Sequence, residues 1–176
     1  MRCKPLAAVL PIALLCVSSL AQSPHTPNPA PELKKLDYFV GSWKADADMK
    51  PSPYGPGGKI TSTDQIEWMQ GNFFLLIHSQ FSSPMGSGTE LGVMGYDPAQ
   101  KVYTYNSFNS GGEHETATGT LEGDTWTWNS GETTSPFGKW RFTEKMLSPT
   151  SYTMKFETSQ NGTTWSTAME GMATRQ

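Results

Sequence analysis

Beyond residue 40, apolar and polar positions alternate over short runs, and glycine, asparagine, aspartate, serine and proline punctuate them. A period of two is the spacing of strands with one buried face, and punctuation of this kind supplies turns. Ten strands are predicted, at 43–49, 59–69, 72–81, 89–96, 102–108, 113–121, 125–129, 139–144, 151–157 and 164–174. Gln70-Gly71, Asp97-Pro98-Ala99-Gln100, Glu122-Gly123-Asp124 and Asn161-Gly162 carry the turn chemistry that joins antiparallel neighbours. Ahead of the strands, Leu33, Leu36, Phe39 and Val40 fall at helix-like spacing behind Pro31, and Gly41 closes the segment. Consecutive strands with short links can close on themselves and remove exposed edges. The fold class is therefore all-β, a single antiparallel barrel of roughly ten strands entered through a short N-terminal helical turn.

Side-chain phase marks the inward faces, because alternate residues of a strand point to opposite sides. Ile60, Ile66 and Trp68 share one phase, as do Trp126 with Trp128, Trp140 with Phe142, and Tyr152 and Met154 with Phe156. The strand at 72–81 is ambiguous: Phe73, Leu75, Ile77 and Phe81 compete with Phe74 and Leu76, so cover on both faces is expected. Two stretches rich in glycine and proline or serine, 51–58 and 82–88, are expected to form a flexible rim at one barrel mouth. Neither has the lysine or the strand-to-helix setting of a phosphate loop.

The first residues change the picture of where the chain works. Arg2 and Lys4, an apolar run at 6–15 and the small residues Ser19 and Ala21 have the order of a signal peptide, with cleavage expected before Gln22. The apolar run is short for a bilayer span and contains Pro11, and Leu15 before Cys16 is too bulky for a lipoprotein leader. The expected organisation is a signal peptide at 1–21, a proline-rich linker at 22–31 and a barrel domain at 32–176, exported to the periplasm or the medium. Cys3 and Cys16 both lie in the leader, so the exported chain has no disulfide and depends on its core. Losing Arg2 and Lys4 takes the basic residues from 13 to 11 against 16 acidic ones, a formal net charge of −5. That balance argues against a nucleic-acid partner, and no stable membrane insertion is expected after cleavage.

Gly41-Ser42-Trp43 after a helical turn resembles the entry motif of calycin barrels, which include lipocalins, fatty-acid-binding proteins and the nitrobindin-like group. A longer match is more specific. The segments 36–43, Trp68-Met69-Gln70-Gly71-Asn72-Phe73-Phe74 and Leu91-Gly92-Val93-Met94-Gly95-Tyr96-Asp97 resemble the bacterial family called domain of unknown function 1579, over most of the exported chain. That family implies no established activity. The calycin resemblance implies a cupped, lipocalin-like barrel holding a small, partly apolar molecule, with Trp43 closing the base beneath an arginine, either Arg175 or Arg141.

Candidate chemistry is sparse. His78 and His114 are the barrel's two histidines, and Glu113-His114-Glu115 puts its carboxylates on the face opposite the imidazole, so no metal site is expected. The nitrobindin-like group binds haem through a histidine, but neither histidine can be aligned to that ligand; no cofactor is expected, with haem a minor alternative. There is no cysteine nucleophile after export and no glycine-x-serine-x-glycine elbow. Asp64, Glu67 and Glu90 are available carboxylates whose separation the sequence does not give. Asn161-Gly162-Thr163 fits a glycosylation acceptor but reads first as a turn. The aromatic inventory serves either a filled core or a cavity wall. The candidate ligand-binding set is His78, Asp64, Tyr103, Tyr105, Trp126, Trp128 and Trp140, with no catalytic residue assigned. The expected function is binding of a small, partly apolar molecule in the barrel. The alternatives are an enzyme using the same cavity and an envelope protein-interaction module without a small ligand.

Overall fold

The computed structural model describes residues 28–53, 55–131 and 138–176. The expected leader at 1–21 and most of the linker lie outside the described residues. A 3₁₀ helix, Pro31–Phe39, precedes ten strands: β1 (Gly41–Met49), β2 (Gly58–Trp68), β3 (Leu75–Ser83), β4 (Gly86–Asp97), β5 (Val102–Asn109), β6 (His114–Glu122), β7 (Thr125–Ser130), β8 (Lys139–Ser148), β9 (Ser151–Ser159) and β10 (Ser166–Arg175). Each pairs antiparallel with its neighbours in sequence, and β1 pairs with β10, so the sheet closes into a barrel. Among the described residues no helix is long and apolar enough to cross a membrane.

The register fixes which side chains enter the barrel. Trp43 sits opposite both Arg175 and Asp64, and Asp64 opposite Ser79, which in turn faces Glu90. The phases read from the sequence hold: Ile66, Trp126, Trp128, Trp140, Tyr152 and Met154 are buried inside. In β3 the inward set is Leu75, Ile77, Ser79 and Phe81. Cover on both faces is not found there, because the opposite face carries His78 and Gln80 into solvent and Phe74, just before the strand, is 46% exposed.

Local chemistry explains the shifted boundaries. The expected strand start at 72 moves to Leu75 because Asn72 takes a positive φ of 58° and its N–H bonds back to the Met69 carbonyl, making a turn. The link at Asn161 is longer than a two-residue hairpin. The Asn161 side-chain oxygen accepts from the Thr163 and Thr164 N–H groups, which holds those residues out of the ladder until Ser166. Strands run longer than expected in β8 and β9, where polar Ser148 and Ser159 still pair.

The helix plugs one end. Leu33, Leu36 and Phe39 point into the barrel and are buried. Trp68 Nε1 donates to Asp37 at 2.8 Å, the Tyr103 hydroxyl donates to the Glu32 carbonyl at 3.0 Å, and the Tyr38 hydroxyl lies 2.9 Å from the carbonyls of Ser148 and Ser151. Trp43 Nε1 donates to the Phe39 carbonyl at 2.7 Å. Arg175, rather than Arg141, lies over the Trp43 indole at 4.5 Å and donates to the carbonyls of Tyr38 and Val40. Gly41 has φ of 123°, and a Cβ there would stand 2.7 Å from the Arg175 guanidinium, so the motif's glycine is what lets the arginine cross the base. Arg141 is outside, stacked on Trp165 at 4.6 Å and paired with Glu157 at 2.7 Å.

Candidate ligand-binding site

Inward side chains change character along the barrel axis. At the helix end Leu36, Phe39, Trp43, Leu75 and Trp126 are at most 1% exposed, and Ile66, Met94, Tyr103 and Tyr152 are buried with them. Toward the other end, the inward residues Ile60, Asp64, Ile77, Ser79, Glu90, Tyr105, Glu115, Phe142 and Phe156 are only half-buried. The interior is thus graded like a cup, packed at a floor made by the helix and looser toward the opposite end, where Met49, Lys50, Ser52, Gly55 and Gly57 meet the β3–β4 turn at Pro84 and Met85.

Four carboxylates line this cup, and each is oriented by neutral donors. Glu144 accepts from Trp128 Nε1 at 3.0 Å, Glu115 from Trp140 Nε1 at 3.0 Å, and Glu90 from the Tyr105 hydroxyl at 2.7 Å. Asp64 accepts from Ser62 at 3.2 Å and from Ser79. Burial pushes the Glu144 carboxyl up to about 7, against the Trp128 hydrogen bond that lowers it, with the charge of Asp64 adding to the rise. Burial likewise raises Asp64 and Glu90, and Glu90 also feels Asp64, Glu113 and Glu115. The Tyr105 phenol is raised well above its ordinary value by burial and then by Glu90. Such groups can accept hydrogen bonds from a bound molecule, and Glu144 can hold a proton close to neutral pH.

The aromatic wall owes its packing to small residues opposite large ones. Trp128 lies flat on β6 because Gly119 has no side chain; a Cβ there would come within 2.4 Å of the indole. Trp128 stacks on Trp126 at 5.8 Å with the planes 6° apart, and Tyr105 lies 6.0 Å from Trp128. Nearer the mouth, Trp140 and Phe142 both contact Phe156.

Of the seven residues proposed from sequence, Asp64, Tyr105, Trp128 and Trp140 are brought together in the cup. Tyr103 and Trp126 also point inward but belong to its floor, where Tyr103 packs edge-on against Trp126 at 4.7 Å and Phe39 covers the indole. His78 is not among them. Its strand neighbours Ile77 and Ser79 face in, so alternation turns the imidazole outward, opposite Gln65 and Leu91. There it borders an outer depression of about 590 Å³ on β2–β5 with Gln65, Leu91 and Phe108, whose lining also includes Ser79 and Glu90. His114 is outside too, stacked on Phe108 at 4.5 Å. Glu144 and Glu115 were missed as site residues, although the signal was available: Glu144 shares the phase of Trp140 and Phe142, and Glu115 that of Ala117.

The model of the family described as "Protein of unknown function (DUF1579)" matches residues 28–175. The chain belongs to this family. No curated protein matches it in sequence. Among solved structures it is similar to Rv2717c from M. tuberculosis, at 14% identity and a TM-score of 0.60, covering 85% of this chain and 99% of that one. It is also similar to the S-type phycobiliprotein lyase CPES from Guillardia theta, at 12% identity and a TM-score of 0.58, covering 81% and 91% respectively. At these identities the likeness is one of fold alone, the closed antiparallel barrel.

Proposed function

We propose that this protein is an exported carrier or receptor that binds a small, partly apolar molecule in the cup. The observation behind this reading is the gradient of exposure inside the barrel: a tightly packed floor and, above it, a wall in which Tyr105, Phe142 and Phe156 are half-buried beside the buried rings of Trp128 and Trp140, set with carboxylates. Apolar walls with a few convergent polar groups are how small-molecule sites are built. The phycobiliprotein lyase named above is a fold neighbour of compatible role, and it lends the reading support by analogy alone. Export rests on the basic, apolar and small-residue succession ending at Ala21.

N-phenyl-naphthylamine, a neutral apolar fluorophore, tests the binding reading. It should quench tryptophan emission saturably, with weaker binding in Trp140→Ala and unchanged binding in Phe108→Asp, which alters only the outer depression. Absence of saturable quenching, or its loss in Phe108→Asp alone, would overturn the cup as the site. N-terminal sequencing of protein recovered from the envelope or medium should begin at or near Gln22; a product that retains Met1 would refute export with processing.

A further inference from the structure

The cup has an unbalanced interior. Asp64, Glu90, Glu115 and Glu144 all face inward, whereas the paired basic side chains are on the outer surface, Lys44 with Asp46, Lys50 with Glu170, Lys59 with Asp48, and Arg141 and Lys155 with Glu157. Arg175 is the one described cation turned toward the interior, and it is committed at the base to Trp43 and the carbonyls of Tyr38, Val40 and Pro149. A second feature is independent of the acids. The Trp126 indole N–H is the one buried side-chain polar atom among the described residues without a hydrogen-bond partner, on a side chain that is 0% exposed. Trp126 projects inward directly opposite Glu144 in the β7–β8 register and stacks on the Trp128 ring that serves that carboxylate. Buried donors are almost always satisfied, so this one marks a place for an acceptor that the chain itself does not supply.

From these two observations, and resting on the binding reading above, we propose that the cup takes a partly apolar organic cation that also carries a hydrogen-bond acceptor. A carboxylate has about four lone-pair sites, and the neutral donors already present use one or two of them, leaving acceptor capacity toward the lumen. A cation placed there offsets the mutual repulsion that Glu90 and Glu144 feel from Asp64. The half-buried ring of Phe156, packed against Trp140, adds cation–π attraction. The four acids do not converge as a metal cage, since no group of three or more metal-ligating side chains is close enough among the described residues. Negative charge spread around an aromatic wall matches an ammonium or amidinium on an organic frame. Its acceptor atom reaches toward Trp126 at the floor and its charged end toward Glu90 and Glu115 nearer the mouth.

The test uses four matched probes: para-methoxyphenethylammonium, the neutral para-methoxyphenethyl alcohol, the anionic para-methoxyphenylacetate, and phenethylammonium without the methoxy oxygen. Binding is followed through the indole N–H resonances of the 6 tryptophans, assigned by single Trp→Phe variants. The methoxy ammonium should bind about tenfold more tightly than the alcohol, the scale of one charge-assisted hydrogen bond, and the carboxylate most weakly. Glu115→Gln and Glu90→Gln should each weaken the ammonium severalfold and leave the alcohol unchanged. The Trp126 resonance should move with the methoxy probe and stay still with phenethylammonium. If the alcohol or the carboxylate binds as well as the ammonium, or if neither glutamine variant matters, the cation preference is overturned. Saturable quenching by the neutral naphthylamine would then leave the binding reading standing; its absence would remove both.

Discussion

Replacing Glu144 by glutamine keeps the shape and the oxygen that accepts from Trp128 Nε1, and removes only the ability to ionise. The native carboxyl holds its proton to about pH 7, whereas in the unfolded chain it titrates near 4.5. Below 4.5 both states are protonated and the shift costs nothing. Between 4.5 and 7 the unfolded state has released the proton and the native state has not, so stability falls as pH rises, and above 7 the full cost is present. A displacement of that size corresponds to about 3 kcal/mol at 1.36 kcal/mol per pH unit. Glu144→Gln should therefore match the parent protein near pH 4 and exceed it near pH 8 by up to about 3 kcal/mol. For a domain of this length that is about 6–12 °C in Tm. The charged group facing Glu144 is Asp64, and the phenols of Tyr38, Tyr105 and Tyr152 sense its field. Thermal unfolding followed by near-ultraviolet circular dichroism across pH 4 to 8 measures the difference directly. A gap between the two proteins that does not change with pH, or a variant less stable at pH 8, would refute the reasoning.

Further expectations concern the base and the wall. Trp43→Ala removes a side chain 1% exposed together with its hydrogen bond to Phe39, and should cost about 3–5 kcal/mol in urea unfolding; an unchanged midpoint would show that the indole does not close the barrel. Arg175→Lys keeps the charge but loses the planar group that lies on Trp43 while reaching two carbonyls, so a loss of about 1–3 kcal/mol is expected, and full retention would contradict the stacked geometry. Gly119→Ala drives a methyl group into the Trp128 ring and should destabilise by about 1–3 kcal/mol with a change in near-ultraviolet dichroism; silence in both signals would mean that the indole does not lie on β6.

What the sequence made legible follows from how strongly each feature is constrained. A barrel strand with one buried face must alternate, so the parity of Trp126 with Trp128 and of Tyr152 with Met154 is enough to choose their sides. Gly41-Ser42-Trp43 was legible because three requirements meet there: a helix stop, a buried indole, and a residue without Cβ beneath Arg175. β3 was ambiguous because its apolar residues occur in both phases, and the outer ones, Phe74 above all, are simply exposed. Turn chemistry was visible as residue type, but the length of each turn depended on side-chain hydrogen bonds such as those of Asn161, which composition does not reveal.

The misplacement of His78 and the omission of Glu144 have one cause. By chemical type alone histidine is versatile chemistry, while a glutamate at a strand end looks like ordinary surface. Parity, applied evenly, points the other way: counting from Ile77 puts His78 outside, and counting from Trp140 and Phe142 puts Glu144 inside. An acid in the inward phase of a barrel strand incurs a desolvation cost that an outward one does not, and it is tolerated here only because an indole N–H on the adjacent strand accompanies it. The pattern recurs when Trp140 serves Glu115 and Tyr105 serves Glu90, so aromatic donors and inward acids form matched pairs around the wall. A wall built that way does more than fill space, since apolar residues in those positions would avoid the burial of charge altogether. The unmatched Trp126 donor and the acids' remaining lone pairs are then complementary halves of one requirement, an acceptor at the floor and a donor or cation above it, which a single molecule entering from the mouth could meet.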